Sequence, residues 1–274
     1  MTHADSLTLY HDTYACTGPA GAAAPELVLL HGWGLHSVVW DPVVPDLLEH
    51  FQVTVIDLPG MGRSPLPRQG LQRDDLVRRL LAVAPARAVW MGWSLGGELA
   101  LAVAAQAPQR VSALALVATN ACFLQREDWP CAMPAAVFRQ FSELFAEDGD
   151  GTLFRFLALQ CRGSERMKED IRFLQEIVYL QGLPAPRALR EGLDLLAALD
   201  LRHELATLQQ PVQLILGATD YLVPAAAGDA LKALQPTLSL AVIEGSGHAP
   251  FLAQPALFLA AFRDFCRERL ALAC

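Results

Sequence analysis

The sequence predicts an α/β fold in which a mostly parallel central sheet is flanked by helices and interrupted by a helical insertion. Apolar residues come in short bursts, such as 27–30, 53–56 and 214–216, which is typical of strands buried on both faces of a sheet. These bursts alternate with helix-like segments, the pattern of βαβ units. A chain of 274 residues suits one large domain or one domain carrying an insertion.

The order of the elements defines the predicted domains. Before residue 120, strands are predicted at 26–30, 52–57, 88–92 and 113–119, and helices at 74–84 and 95–107. Strand-like runs then stop, and helix-like stretches follow at 135–146, 152–159, 165–180 and 188–199. The alternation resumes with strands at 212–216 and 238–243 and helices at 225–234 and 255–270. We therefore predict an α/β core at 1–119 and 201–274, interrupted by a helical cap at 120–200.

Composition and charge exclude several function classes. The net charge of −8 argues against nucleic acid as a partner. Although 53% of the residues are hydrophobic, no uncharged apolar stretch is long enough to predict a membrane span. The N-terminus lacks the pattern of a secretory signal, and six scattered cysteines without a C-x-x-C pair indicate reduced thiols. We expect a cytoplasmic protein without a metal or other cofactor.

The segment Gly92-Trp93-Ser94-Leu95-Gly96 matches G-x-S-x-G in the context that this motif needs. It follows a strand-like run and precedes a good helix former, so it predicts a nucleophile elbow that exposes the Ser94 hydroxyl above the sheet. A glycine-rich turn with an incidental serine is the alternative interpretation. The strand–turn–helix context favours the elbow.

A serine nucleophile needs a base and a residue that orients the base. His248 lies in a glycine-flanked loop after the last predicted strand, whereas His203 falls in a solvated helix. Asp220 follows the strand at 212–216, and the order Ser94, Asp220, His248 is typical of α/β hydrolases. We predict these three residues to be catalytic.

The oxyanion of an acyl-transfer intermediate needs fixed hydrogen-bond donors. We predict the backbone amide of Leu95, the residue after the nucleophile, and the backbone amide of Trp33, in the glycine-flanked loop after the first predicted strand. The neighbouring His31 is predicted to hold this loop, and the Trp33 indole to pack against substrate.

These residues resemble the α/β-hydrolase superfamily over nearly the whole chain and, more narrowly, the pimeloyl-[acyl-carrier protein] methyl ester esterases of biotin synthesis. The resemblance is carried by VLLHGWGL at 28–35, DLPGMGRS at 57–64 and GWSLGG at 92–97. It continues through DWP at 128–130, RFLALQ at 155–160 and HAPF at 248–251. The resemblance implies hydrolysis of a methyl ester on an acyl chain that acyl carrier protein bears on phosphopantetheine. It assigns substrate contact to Trp33 and to Phe156.

The resemblance also implies that basic cap residues hold the acidic carrier. Those positions fall on Arg155, Lys168 and Arg172, whereas Gly151 stands where the family has a fourth basic residue. Residues 151–172 hold five basic and three acidic side chains on a protein of net charge −8, and such a patch steers acidic partners. Arg162 or Arg166 is a candidate to replace the missing charge. A solvated helix face is the alternative interpretation of this charge pattern.

Other functions remain open on the same residues. A short-chain carboxylesterase or a carbon–carbon bond hydrolase uses the same three catalytic groups, because a fold does not fix a function. A binding protein that has kept the fold is disfavoured by the complete set of catalytic residues. We further expect a monomer.

Overall fold

The computed structural model describes residues 8–272 and contains one seven-stranded sheet. Its strands are β1 (His11–Tyr14), β2 (Glu26–Leu30), β3 (Gln52–Ile56), β4 (Ala88–Trp93), β5 (Val111–Val117), β6 (Val212–Gly217) and β7 (Ser239–Ile243). The spatial order is β1-β3-β2-β4-β5-β6-β7, and every neighbouring pair is parallel except β1 with β3. The predicted fold class is confirmed.

Helices connect the strands and cover the sheet. They are α1 (Val44–Leu47), α2 (Arg73–Val83), α3 (Leu95–Gln106), α4 (Ala135–Glu147), α5 (Gly149–Gln160), α6 (Met167–Leu180), α7 (Pro186–Ala198), α8 (Arg202–Thr207), α9 (Ala227–Leu234), α10 (Pro250–Ala253) and α11 (Pro255–Leu270). Because the sheet is covered on both faces, its central strands are mostly apolar, and all six residues of β4 are buried.

The edge strand β1 is an element that the sequence patterns did not predict. Its residues His11–Tyr14 are all exposed, so they show no alternation of apolar and polar side chains. The strand forms because its backbone pairs with β3, with His11 opposite Ile56 and Tyr14 opposite Val53. Backbone pairing of this kind leaves no signal in the local sequence.

Five helices, α4 to α8, lie between β5 and β6, and the first four fall where the sequence predicts the helical insertion. We call residues 120–200 the cap segment; its status as a separate domain, with 1–119 and 201–274 as the core, stays a prediction. Asp148 alone separates α4 from α5, and its carboxylate accepts the Gly151 amide at 3.0 Å as an N-terminal cap. The two helices pack against each other, with the ring centroids of Phe141 and Phe156 lying 5.4 Å apart.

Two further observations bear on the expectations from composition. Within residues 8–272, no helix combines the length and the apolar character needed to cross a membrane. Cys16, Cys122, Cys131 and Cys161 are free thiols, while Cys274 lies outside the described residues.

Candidate active site

Ser94 lies at the sharp turn between β4 and α3. Its backbone has φ 55° and ψ −120°, a region that L-residues rarely adopt and that costs about 1–3 kcal/mol. The turn requires glycine two residues later, since a Cβ on Gly96 would lie 2.4 Å from the backbone oxygen of His31. The strained serine and the close approach of the β2 loop are the geometry expected of a nucleophile elbow.

Asp220 and His248 meet at the carboxyl ends of β6 and β7. The Nδ1 of His248 lies 2.7 Å from Oδ2 of Asp220, and both side chains are shielded from solvent. The other carboxylate oxygen, Oδ1, accepts the backbone amides of Leu222 at 2.7 Å and Val223 at 3.0 Å. The carboxylate is therefore fixed at both oxygens and aims one of them at the imidazole.

The opposite imidazole nitrogen, Nε2 of His248, is buried and has no hydrogen-bond partner among the described residues. A base must keep such a nitrogen free for the proton of its nucleophile. The backbone of His248 is held on both sides: its amide donates to the Gln160 carbonyl at 3.0 Å, and its carbonyl accepts the Trp93 indole at 2.7 Å. The residue before Ser94 and the end of α5 thus position His248.

These two hydrogen bonds are contacts of the candidate site that the sequence patterns do not predict. Trp93 and Gln160 were noted only as parts of family-specific motifs. The tryptophan beside Ser94 was the one available signal, because its indole must find an acceptor when buried. No sequence pattern points to the Gln160 carbonyl.

The loop after β2 carries the predicted oxyanion donor. Gly34 adopts φ 79°, a conformation that favours glycine, and this lets the loop turn tightly. Among residues 8–272, neither the Trp33 amide nor the Leu95 amide donates a hydrogen bond to a protein acceptor. Two unengaged amides beside the elbow agree with the predicted oxyanion hole, whose catalytic role stays a prediction.

His31 braces this loop, as the sequence analysis expected. The Leu58 amide donates to Nε2 of His31 at 2.8 Å, so Nδ1 carries the ring proton and donates it to the Gly32 carbonyl at 2.8 Å. Burial lowers the pKa of His31 well below its usual range, which keeps the ring neutral. With both nitrogens engaged, His31 has no free atom for base catalysis.

Ser94 opens into a small cavity of about 100 Å³. Its described lining is apolar apart from Ser94, with aromatic rings from Phe123, Phe138, Phe141 and Phe156. Such a wall favours an uncharged acyl chain and disfavours a carboxylate, since burying an unpaired charge is costly. The cavity is smaller than the pockets of about 300–1,000 Å³ that hold most small ligands.

Trp33 and Phe156, the two predicted substrate-binding residues, lie against each other with ring centroids 4.9 Å apart. Phe156 lines the cavity, whereas the described lining does not include Trp33. The Trp33 indole instead donates to the Leu189 carbonyl of α7 at 2.8 Å. Trp33 therefore joins the β2 loop to the cap segment and supports Phe156 from outside the cavity.

The three predicted carrier contacts lie on two helices. Arg155 is exposed on α5 and forms a long ion pair with Asp148, with 3.7 Å between nitrogen and oxygen. Lys168 and Arg172 are exposed on α6, one turn apart. The two helices pack together through the Phe154 and Tyr179 rings, whose centroids are 5.5 Å apart. Their contact with a carrier stays a prediction.

Glu98 is a buried carboxyl in the first turn of α3, four residues after Ser94. Only 1% of the residue is exposed, and neither carboxyl oxygen has a hydrogen-bond partner within residues 8–272. Burial raises the pKa of Glu98 well above its usual range, because the charged form loses its hydration. No sequence pattern predicts a role for this residue.

No group of His, Cys, Asp and Glu side chains in the described part of the chain is arranged to hold a metal ion.

Comparison with known proteins identifies the family to which this fold belongs. A family model described as alpha/beta hydrolase fold matches residues 25–255. The crystal structure of the enol-lactonase from Burkholderia xenovorans LB400 has a TM-score of 0.79 to this chain at 22% identity, covering 94% of this chain and 95% of that one. The fold and the site define an α/β hydrolase.

Curated relatives with similar sequences narrow the class of α/β hydrolase to which the chain belongs. A pimeloyl-[acyl-carrier protein] methyl ester esterase of Edwardsiella ictaluri is 41% identical over 249 residues, which cover 91% of this chain and 96% of that relative. One of the same name from Xanthomonas campestris pv. campestris is 47% identical over 228 residues, covering 83% and 89%. The chain belongs to the pimeloyl-[acyl-carrier protein] methyl ester esterase family.

Proposed function

We propose that this chain is a serine esterase that hydrolyses the methyl ester of pimeloyl-[acyl-carrier protein] in biotin synthesis. The observation that carries the proposal is the Asp220–His248 pair at 2.7 Å, with Nε2 of the histidine free and the Ser94 elbow opening into an apolar cavity. The curated relatives supply the substrate, since their names state it.

The proposed reaction follows from these groups in two steps. His248 Nε2 takes the proton of Ser94 while Oγ attacks the ester carbonyl, and Asp220 stabilises the imidazolium that forms. The Trp33 and Leu95 amides hold the oxyanion, each donor contributing about 2.7–4 kcal/mol. The proton then passes to the leaving methoxy group, and methanol departs. Water repeats the sequence on the acyl-enzyme, which releases the free carboxylate and restores Ser94.

Complementation provides the direct test of this function. A biotin-requiring strain that lacks its own methyl ester esterase should grow without biotin when it expresses the chain, and should not grow with the Ser94→Ala variant. The alanine variant controls for expression of a folded but inactive protein. Failure of the wild-type gene, with the protein present and folded, would exclude the proposed substrate.

The proposed partner is acyl carrier protein, bound in the cytoplasm by a monomer through Arg155, Lys168 and Arg172. Because the carrier is acidic, reversal of Arg155 and Arg172 to glutamate should raise KM for a carrier-bound ester about tenfold or more. The same change should leave a small soluble ester unaffected. Added salt should weaken only the carrier reaction, since exposed charges are screened beyond about 8–10 Å. Equal responses of both substrates would contradict a carrier-binding role for this face.

A short-chain carboxylesterase is the second candidate, and the cavity of about 100 Å³ is the observation that favours it. Esters of rising acyl length distinguish the two candidates. The main proposal expects kcat/KM to rise towards a seven-carbon acyl chain, whereas the second expects it to fall beyond the shortest esters.

A further inference from the structure

The Ser94 cavity reaches the surface at one end of the α4–α5 helix pair. The start of α4 and the end of α5 lie together, because Val137 of α4 and Leu159 of α5 line the same cavity. Val137, near the start of α4, lines the cavity although it is 54% exposed. Leu159, near the end of α5, and Leu222, in the loop after β6, line the same cavity. Val137 is the exposed part of this lining and marks the mouth of the cavity, whereas Leu222 is buried.

Arg162 and Tyr221 form a stacked pair, and each lies close in the chain to a residue that lines the cavity. The Arg162 amide donates to the Leu159 carbonyl at 3.1 Å, and Tyr221 is the neighbour of Leu222 in the chain. The guanidinium carbon of Arg162 lies 3.9 Å from the centroid of the Tyr221 ring, and Tyr221 is 54% exposed. The pair therefore bridges the cap segment and the loop of Asp220, the two elements that supply Leu159 and Leu222 to the cavity wall.

The Arg162 guanidinium is oriented but not neutralised. Within residues 8–272 it forms no ion pair and donates no side-chain hydrogen bond, unlike Arg155 with its Asp148 partner. Stacking on an aromatic face fixes the plane of a guanidinium and leaves its N–H donors available at the edge. An acceptor oxygen that emerges from the cavity would find charged donors already in place.

The chemistry of the proposed substrate supplies such an oxygen. With its methyl ester at Ser94, a pimeloyl chain extends its methylene groups along the apolar wall. The first polar groups beyond those methylenes are the thioester carbonyl and then the amide carbonyls of the pantetheine arm. A chain threaded through the mouth presents these oxygens on the side where Arg162 lies.

We propose that Arg162, stacked on Tyr221, is a specificity-determining residue that donates hydrogen bonds to carbonyl oxygens at the distal end of the acyl substrate. The class of ligand is a methyl ester whose apolar chain ends in a thioester or amide, as a pantetheine-bound chain does. The inference rests on the proposed function, because it takes the ester end to be seated at Ser94.

Two soluble methyl esters of equal length test the role of Arg162 without the carrier protein. One is the methyl ester of pimeloyl N-acetylcysteamine thioester, which has distal thioester and amide carbonyls; the other is a saturated fatty acid methyl ester, which has none. Arg162→Met should lower kcat/KM for the thioester substrate about tenfold, mainly through KM, because hydrogen bonds to a charged donor are lost. The same variant should leave the fatty ester unchanged.

Matched variants separate this role from a general effect of charge or folding. Arg162→Lys keeps the charge without the planar fork and should recover only part of the loss. Arg139→Met removes an exposed arginine of α4 and should change neither substrate. Equal effects of Arg162→Met on both esters, or none on the thioester, would overturn the inference. The proposed function is judged separately, by whether the wild-type protein hydrolyses the carrier-bound ester at all.

Discussion

Replacing Asp220 by asparagine tests the acid–base pair with the least change in shape. In the native protein, Oδ1 of Asp220 accepts two backbone amides and Oδ2 faces Nδ1 of His248 at 2.7 Å. Asparagine has one acceptor oxygen and one donor NH₂ group, so its oxygen can face either the two backbone amides or His248, but not both. Turning its NH₂ towards the amides of Leu222 and Val223 would leave buried donors unpaired, at a cost of about 1–3 kcal/mol each.

The favoured orientation therefore keeps the asparagine oxygen on the two amides and points its NH₂ at His248. Nδ1 must then accept a hydrogen bond, which moves the ring proton to Nε2, the atom that has to take the proton of Ser94. The variant should fold normally and lose about 10⁴-fold in kcat. This loss corresponds to about 5 kcal/mol in the activation barrier.

The assay is kcat for p-nitrophenyl butyrate, together with thermal unfolding of each variant. Asp229→Asn is the matched control, because Asp229 is exposed on α9, and it should keep full activity. An Asp220→Asn variant that remains within about tenfold of wild type would refute the assigned orientation of the base, since a wrong tautomer costs far more.

Three further outcomes are expected. Ser94→Ala should fold and lose nearly all esterase activity, keeping about 10³–10⁴-fold over water from the remaining groups; near-normal hydrolysis of a p-nitrophenyl ester would rule out Ser94 as nucleophile. Phe156→Ala should reduce kcat/KM for longer acyl esters more than for acetate esters, because Phe156 lines the cavity; equal losses would remove it from the acyl-binding wall. Glu98→Gln should raise Tm at about pH 8 and have little effect near pH 4. The pKa of Glu98 is raised in the folded state above its unfolded value of 4.5. The wild-type protein therefore has its full stability below pH 4.5 and loses stability as the pH rises through the folded pKa. A Tm difference that is the same at both pH values would show that Glu98 does not titrate with folding.

The sequence predicted those parts of the molecule whose signals are local. Bursts of apolar residues located six of the seven strands, and the tight turn at Ser94 followed from its glycines. The strand at His11–Tyr14 was missed because its formation depends on β3, which is distant in the chain. Contacts of the site that join backbone atoms, such as the His248 amide on the Gln160 carbonyl, were missed for the same reason.

Burial was also harder to predict than element type. A carboxylate four residues after Ser94 would be placed on a solvated helix face by its residue type alone, yet Glu98 is buried. Trp33 illustrates the complementary case: its position in the loop was foreseen, but its indole bonds to Leu189, 156 residues away. Partners at such sequence separation are set by how the cap segment packs, which no local pattern encodes.

The attachment of the cap segment to the loops of Asp220 and His248 has a consequence for how the cavity can change size. Three backbone groups of the cap segment form hydrogen bonds to those loops. The Gln160 carbonyl accepts the His248 amide at 3.0 Å, and the Gly163 carbonyl accepts the Thr219 hydroxyl at 3.0 Å. The Glu165 amide donates to the Gly245 carbonyl at 3.2 Å. Moving residues 160–165 of the cap segment would therefore disturb the Asp220–His248 pair itself. Helix α4 has a single buried residue, Phe145, and makes no such bonds among the described residues. Because α4 buries fewer residues than α5, displacing α4 would widen the cavity at a lower cost than moving residues 160–165, and it would leave the Asp220–His248 pair in place.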